Sequence, residues 1–248
     1  MSELTKTLSV TRIWQKKLVE WKDDISHLIY PNCCLICDSE LPNKNIPICH
    51  FCENDLPYTL FESYTHETNM DKLFWGRVPV ASTYSLLYFE KETSTQAILH
   101  GIKYQNKKKL AIEFGKRIGK QLSQQASFDS IDCLLPIPLH PKKEYLRGYN
   151  QSLLIAEGIS LEKNLPIETK GVKRIKHGES QTKKSRFKRW DNVQNTFRID
   201  PKLIGTYKHI ALVDDVVTTG ATIEACINEI NEIFPNLKIS IITLAIAK

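Results

Sequence analysis

The fold is decided by residues 210–222, which read IALVDDVVTTGAT. Residues 209–213 form an apolar run of strand length, and apolar side chains then recur at helical spacing: Ile223, Ile227, Ile230 and Phe234. Because the period changes within so few residues, the sequence predicts a buried strand that turns directly into a helix. We therefore expect an α/β domain with this turn at the carboxyl end of a parallel strand.

The turn itself has the composition of an anion site. It comprises Thr218, Thr219, Gly220, Ala221 and Thr222. Gly220 allows the backbone to turn sharply and to approach a ligand closely. The free amide groups at the start of a helix bind anions. These residues therefore predict a phosphate site.

Two acids, Asp214 and Asp215, end the predicted strand. Carboxylates beside a phosphate site repel a bare phosphate, so the ligand should also have hydroxyl groups or a bound Mg²⁺ ion. A sugar phosphate meets both conditions. The alternative is an ordinary strand-to-helix turn inside a core. The sequence has no P-loop, and no G-x-G-x-x-G precedes a helix, so these common nucleotide motifs are excluded.

The composition indicates one substantial α/β domain with a small appendage. The chain has 248 residues, of which 42% are hydrophobic. Its apolar runs are shorter than a membrane span, and its first residues lack the apolar core of a signal peptide, so we expect a cytoplasmic protein without a transmembrane segment. The seven cysteines are an odd number and do not indicate secretion.

Residues 1–30 are predicted to contain an amphipathic helix. One face is apolar, with Trp14, Leu18, Trp21, Ile25 and Leu28, and the other has mixed charges. Such a helix either docks on the protein core or lies on a membrane surface, and the mixed charge favours docking.

Residues 31–57 contain two C-x-x-C pairs, which predict a zinc ribbon. The four thiolates belong to Cys34, Cys37, Cys49 and Cys52. Two such pairs complete a tetrahedral Zn²⁺ site, and a site filled by four protein ligands is structural. Cys33 is an alternative to Cys34, and His50 is expected to be a bystander. The competing interpretation is a set of unrelated reduced thiols.

The remaining core is predicted from apolar periodicity. We expect strands near 131–136, 209–214 and 239–246, a strand pair between Val78 and Phe89, and a connector over 53–77. Helices are predicted from Thr95 to Lys103 and through Leu110, Phe114, Ile118 and Leu122, where Gly115 and Gly119 permit close packing. After the strand near 131, the chain is expected to form a basic loop with Lys142, Lys143 and Arg147, which suits a pyrophosphate or is a solvated face.

The acid-acid turn closely resembles the motif with which type I phosphoribosyltransferases bind phosphoribosyl pyrophosphate (PRPP). In that family the paired acids bind the ribose hydroxyls and the threonine-rich loop binds the 5′-phosphate. The resemblance implies that Asp214, Asp215 and residues 218–222 bind PRPP together with Mg²⁺. In active relatives, a nitrogen nucleophile attacks the anomeric carbon while pyrophosphate leaves.

Most of residues 30–248 resemble the ComF family of phosphoribosyltransferase-like proteins. The similar motifs are the cysteine ribbon, the acid-acid turn, His100-Gly-Ile-Lys-Tyr104, Pro136-Ile-Pro138 and Arg147-Gly-Tyr-Asn-Gln151. The rest of the family's signature is matched by Gln181, Arg189, Asn192 and Phe197. The chain departs from the family around Gln181, where Ser180, Thr182, Lys183 and Lys184 replace prolines and apolar residues.

The resemblance implies a type I phosphoribosyltransferase-like parallel sheet over residues 78–248, with helices on both faces. It also implies a role in DNA uptake during natural transformation, alongside competence proteins such as a DNA helicase. Contacts to pyrophosphate or to a closing loop are assigned to Lys103, Arg147, Gln181 and Arg189. The sequence contains no recognisable pocket for an acceptor. The protein is therefore either a glycosyltransferase with an unknown acceptor or a non-catalytic scaffold that keeps a PRPP site.

A basic segment between Lys170 and Arg189 has nine lysines and arginines and one acid, Glu179. It could contact single-stranded DNA, with Phe187 and Trp190 stacking on bases. It could also close over PRPP as a loop, or be a solvated surface. The sequence does not choose among the three.

Overall fold

The structure is a computed structural model that describes residues 32–42, 47–63, 67–175 and 196–248. The chain divides into two compact units, Met1–Asp55 and Leu56–Lys248. The predicted helix over residues 1–30 lies outside the described residues, as do Gln181, Arg189 and most of the basic segment. Within the described ranges, no helix has both the length and the apolar character needed to cross a membrane.

A four-stranded parallel sheet forms the centre of the larger unit. Its spatial order is β1 (Thr83–Phe89), β6 (Lys238–Ala247), β5 (His209–Val217) and β2 (Cys133–Pro136). β5 and β6 are nearly continuous runs of buried residues, as expected for parallel strands that are covered on both faces. The predicted α/β class is confirmed, and the three predicted strands are present with slightly different ends.

The predicted strand pair between Val78 and Phe89 is wrong. The chain forms only β1 in this region, and β1 pairs in parallel with the distant β6, with Thr83 opposite Ile241. Pro79 lies in the irregular segment before β1. Proline lacks the N–H group that a ladder needs, so the apolar run supplies one strand and not two.

Helices connect these strands. The smaller unit contains α1 (His50–Asn54). The larger unit contains α2 (Asn69–Phe74), α3 (Ser94–Tyr104), α4 (Lys108–Leu122), α5 (Pro141–Arg147), α6 (Gln151–Lys163), α7 (Pro201–Ile204) and α8 (Ala221–Ile233). The predicted helices from Thr95 and through Leu110 are present as α3 and α4. Two predictions are wrong. The predicted connector over residues 53–77 contains the helix α2, and the predicted basic loop with Lys142, Lys143 and Arg147 is the helix α5.

Helices cover both faces of the sheet. The connection from β1 to β2, which contains α3 and α4, crosses the sheet in one direction, and the connection from β5 to β6 through α8 crosses in the other. Consecutive residues of β5 and β6 are buried, which shows that both faces of the sheet are covered. A separate antiparallel pair, β3 (Val172–Arg174) and β4 (Phe197–Ile199), flanks the undescribed residues 176–195.

α4 and α6 approach each other closely at Gly115 and Gly158. A Cβ atom on Gly115 would lie 2.2 Å from the carbonyl oxygen of Ile155, and one on Gly158 would lie 2.1 Å from that of Ile112. Both neighbours are backbone atoms, which cannot rotate away as side chains do. The close packing predicted at Gly115 is therefore present, and Gly158 is its partner.

We expect Gly115→Ala to lower the free energy of unfolding by about 1–3 kcal/mol, because the added methyl group forces the two helices apart. Urea denaturation measures this change. The matched control is Lys120→Ala on the exposed side of the same helix, which should stay within about 0.5 kcal/mol of wild type. A Gly115→Ala variant as stable as wild type would show that helix propensity outweighs the contact.

Candidate functional site

Four cysteine side chains converge in the smaller unit. The sulfur atoms of Cys34, Cys37, Cys49 and Cys52 all lie within 4.8 Å of one another. The sulfurs of Cys37 and Cys49 are 3.7 Å apart, which matches the separation of about 3.8 Å expected for two thiolates on one tetrahedral metal ion. The four cysteines are therefore close enough to bind a metal ion.

The choice between Cys33 and Cys34 is decided by this geometry. Cys34 is buried within the cluster, whereas Cys33 is exposed and outside it. His50 is also exposed, and its Nε2 lies 3.1 Å from Nδ2 of Asn54. The structure thus keeps His50 out of the cluster, as predicted.

Polar groups around the cluster lower the pKa of Cys37 and Cys49 and so favour their thiolates, whereas burial raises the pKa of Cys52. The backbone N–H of Cys49 donates to the sulfur of Cys34 at 3.3 Å, and that of Cys52 donates to Cys49 at 3.4 Å. Hydrogen bonding by Ser39 lowers the pKa of Cys37 to about 6. Thiolates are the form that binds metal, so the donor set fits a closed metal site.

The predicted phosphate turn follows β5. β5 continues to Val217, so Asp214 and Asp215 lie inside the strand and not after its end. Gly220 has a positive φ of 74°, and α8 starts at the next residue. The N-cap residue, Gly220, has no side chain that could cap this helix start, so within the described part of the chain the amide groups of its first turn remain available to a ligand. Thr218 and Thr219 are exposed beside them.

Asp214 is held by α6. Its Oδ1 accepts hydrogen bonds from the hydroxyl of Ser152 and the backbone N–H of Asp215, both at 2.9 Å. Ser152 is in the first turn of α6, which Asn150 caps through a 3.0 Å bond to the Ser152 N–H. Burial, with repulsion from Asp215, raises the pKa of Asp214 to about 7. This acid therefore titrates near neutral pH.

Asp215 has a different environment. Its side chain is only 5% exposed, and Oδ2 lies 2.8 Å from Nζ of Lys103 at the end of α3. That oxygen makes no hydrogen bond of good geometry with the described residues, so the contact is an ion pair. Oδ1 accepts from the backbone N–H of Val216 at 2.8 Å. The predicted site residues Lys103 and Asp215 are thus in direct contact.

Four cations lie near one another here, Lys103, Lys143, Arg147 and Arg174, and two of them, Lys103 and Arg174, interact with the acids. Lys143 has its pKa lowered by burial and by the nearby charges of Arg174, Arg147 and Lys103. Burial also lowers the pKa of Arg174, whereas the negative charge of Asp214 raises it. The Nε atom of Arg174 is buried and has no hydrogen-bond partner among the described residues. The four side chains repel one another, and such a cluster is stabilised by a polyanion.

Arg147 is positioned by the loop that starts α6. Its guanidinium donates to Oε1 of Gln151 and lies 5.4 Å from the ring centre of Tyr104. Gly148, with a φ of 78°, ends α5 and directs the chain into the next helix. The hydroxyl of Tyr149 donates to the carbonyl of Ile102 on α3. These contacts join the carboxyl-terminal ends of α3 and α5.

The structure thus places Lys103 in contact with Asp215, next to Asp214, and Arg147 near Lys143 together with Lys103, while Gln181 and Arg189 lie outside the described residues. Sequence reasoning did not single out Arg174, Ser152 or Arg77 for this site. Arg77 donates to the carbonyl oxygen of Thr219 at 2.9 Å. No spacing or motif connects these residues to the acids, so only their packing reveals them.

The fold and the two sites define an α/β protein with a four-stranded parallel sheet and a four-cysteine cluster, the architecture expected of the type I phosphoribosyltransferase-like fold. Competence protein F of Haemophilus influenzae is 27% identical over 220 residues, which cover 85% of this chain and 87% of that protein. This match supports the resemblance to the ComF family that the sequence motifs indicate.

Shorter similarities extend to the DNA utilization proteins YhgH. The protein from Escherichia coli strain K12 is 33% identical over 92 residues, which cover 37% of this chain and 40% of that protein. The protein from Salmonella typhimurium is 24% identical over 129 residues, or 51% of this chain and 56% of that protein. No family model matches the chain.

Proposed function

We propose that this protein binds PRPP with Mg²⁺ and serves DNA uptake in natural transformation. The observation that carries the proposal is the arrangement of Asp214 and Asp215 between a helix start with available amide groups and a cluster of four cations. PRPP has a phosphate at one end, ribose hydroxyls in the middle and a pyrophosphate at the other end. Each part has a complementary group here.

The 5′-phosphate would bind the turn of residues 218–222 and the first amide groups of α8. Asp214 and Asp215 would accept hydrogen bonds from the ribose hydroxyls. The pyrophosphate would lie among the four cations: Lys103, Lys143, Arg147 and Arg174. Mg²⁺ bound to the pyrophosphate would neutralise part of its charge. As a transferase, the protein would stabilise the departing pyrophosphate with these cations while an acceptor nitrogen attacks the anomeric carbon.

The role in DNA uptake rests on the relatives, one of which is named a competence protein and others DNA utilization proteins. We assign Zn²⁺ to the four-cysteine cluster, because four thiolates at tetrahedral spacing suit that ion in a structural site. Reduced cysteines fit a protein of the cytoplasm.

Calorimetric titration of the zinc-loaded protein tests the proposal. Wild type should bind both PRPP and ribose 5-phosphate in the presence of Mg²⁺, and PRPP more tightly. Asp214→Asn should weaken both ligands, because it replaces a carboxylate that accepts from the ribose hydroxyls by a neutral, weaker acceptor. Arg174→Met should weaken PRPP by about 10-fold or more and ribose 5-phosphate much less, since only PRPP would place a pyrophosphate beside Arg174.

The proposal fails if folded wild-type protein binds neither ligand. If Arg174→Met weakens both ligands equally, the cation cluster is not the pyrophosphate site. Release of pyrophosphate in the presence of candidate acceptors then separates a transferase from a protein that only binds PRPP.

A second candidate function is binding of single-stranded DNA beside this site. Tyr104 and Tyr145 are 68% and 88% exposed, and Leu146 is 83% exposed. Exposed lysines lie on the same elements or next to them: Lys107, Lys108, Lys109 and Lys142. Exposed aromatic rings among cations are typical of surfaces on which bases stack. The affinity for a single-stranded oligonucleotide should then fall steeply as the salt concentration rises. It should also be lower in Tyr145→Ala than in wild type. An affinity that does not depend on salt would exclude this function.

A further inference from the structure

Arg77 connects the phosphate turn to a part of the chain that precedes the sheet. One guanidinium nitrogen, Nη1, donates to the carbonyl oxygens of Thr219 and Leu73, both at 2.9 Å. The other, Nη2, forms an ion pair with Glu224 in the first turn of α8. The Arg77 side chain is 32% exposed, so its three partners hold it in a partly buried position.

Arg77 follows α2, and several contacts fix the position of this helix. α2 is capped by Thr68 and Asp71 in a reciprocal capping box. Asp71 also accepts a 2.7 Å hydrogen bond from the hydroxyl of Thr83 in β1. At the other end of α2, Phe74 is buried against the turn, and a Cβ atom on Gly220 would lie 2.9 Å from its ring. Strand β1 thus fixes α2, and α2 fixes Arg77 beneath the turn.

The hydrogen bond from Arg77 to the Thr219 carbonyl fixes the orientation of the peptide group between Thr219 and Gly220. All described peptide bonds are trans, and in a trans peptide the C=O and N–H groups point in opposite directions. Because the Thr219 carbonyl points to Arg77, the N–H of Gly220 points to the opposite side. If this peptide flipped, a carbonyl oxygen would replace an N–H donor on the side where an anion binds.

Arg77 has a second effect on the same turn. Glu224 is an acid in the first turn of the helix that would bind the phosphate, and an unpaired acid there would repel the ligand. The ion pair with Arg77 compensates this charge. The two effects, peptide orientation and charge compensation, make different predictions for paired variants.

We propose that Arg77 is a positioning residue for the phosphate end of the site, which holds the Thr219–Gly220 peptide with its N–H group toward the ligand. Arg77 does not touch the ligand in this role. The inference rests on the proposed function, since it concerns the 5′-phosphate of the same ligand.

The test uses ribose 5-phosphate with Mg²⁺ as the probe and the zinc-loaded full chain. Arg77→Met should raise the Kd by about 10- to 100-fold, the loss expected for one hydrogen bond to a charged group. Glu224→Gln keeps an oxygen that can accept a hydrogen bond from Arg77 and removes the acid, so this variant measures the effect of the charge alone. The double variant Arg77→Met/Glu224→Gln should regain only the part of the affinity lost to the charge of Glu224 and should stay clearly weaker than wild type, because the peptide orientation is still lost.

The following results would contradict the positioning role of Arg77. Wild-type affinity in Arg77→Met would overturn it, and wild-type affinity in the double variant would assign the whole effect to the charge of Glu224. If Arg77→Met does not fold, Arg77→Lys replaces it. Lys keeps the charge but lacks the fork that bridges three acceptors, so its Kd should still rise at least threefold or so. If wild type binds neither ribose 5-phosphate nor PRPP, the proposed function itself fails.

Discussion

Replacing Cys34 by Ser is expected to weaken zinc binding about 100-fold, so that the variant loses the metal to a chelator that wild type resists. Four-thiolate sites bind zinc with about 10–16 kcal/mol in small domains, and one lost ligand of four costs roughly 3 kcal/mol. Among the described residues around the cluster, only a few side chains are buried and apolar, including Cys34 itself, Leu41 and Ile48. Without the metal, we therefore expect residues 32–55 to unfold while the larger unit keeps its sheet.

Two measurements check this expectation. After dialysis against such a chelator, metal analysis should show about one zinc ion per wild-type chain and much less in Cys34→Ser. Limited proteolysis should cut the variant within residues 32–55 and spare residues 56–248. Cys33→Ser is the matched control, because Cys33 is adjacent in sequence but outside the cluster. If Cys33→Ser loses zinc and Cys34→Ser keeps it, the ligand assignment is wrong.

The second large effect is a pH dependence of ligand binding that Asp214 controls. Burial and the neighbouring Asp215 raise the pKa of Asp214 to about 7. Below that pH the free protein holds a neutral Asp214, which accepts hydrogen bonds from ribose hydroxyls less well than a carboxylate does. The affinity for PRPP should therefore fall as the pH drops through 7, by up to about tenfold for each pH unit.

The effect on stability has the opposite sign. In the unfolded chain an aspartate titrates near pH 4, whereas the folded protein holds the proton to about pH 7. Between these values the folded state binds more protons, so this group makes the unliganded protein less stable as pH rises from about 4 to 7. PRPP affinity and stability should thus change in opposite directions.

Calorimetry from about pH 5.5 to 8.5 and urea denaturation over the same range test both expectations. The control is Asp214→Asn, which keeps the shape of the side chain but does not titrate. Any pH dependence that remains in this variant comes from the ligand's own phosphates or from other titrating groups. Identical pH profiles for wild type and Asp214→Asn would refute the role of this carboxyl group.

The two predicted sites differ in how much the structure added. The cysteine cluster was predicted in full, because two C-x-x-C pairs contain all four ligands within a short segment. The structure added the choice of Cys34 over Cys33, which depends on burial. The order of strand, acids and helix start was also predicted, because these elements are contiguous in the chain, but β5 continues past the acids to Val217.

The cation cluster beside the acids was only partly predictable. Lys103 and Arg147 were assigned from motifs, but Arg174 was hidden in a basic segment where every cation looked alike. Its buried Nε and its position near Asp214 distinguish it from the others. Arg77 was less predictable still, because it meets Thr219 across 142 residues of sequence.

The sequence by itself thus determined three of the four parallel strands, the four clustered cysteines and the order of strand, acids and helix start. These features follow from local periodicity and spacing, which short-range sterics and hydrogen bonding impose. The tertiary structure alone decided that Gly158 opposes Gly115, that Arg174 joins Lys103 and Lys143, and that Arg77 supports the turn at Thr219. Such contacts depend on how distant elements pack, and no local period in the sequence encodes them.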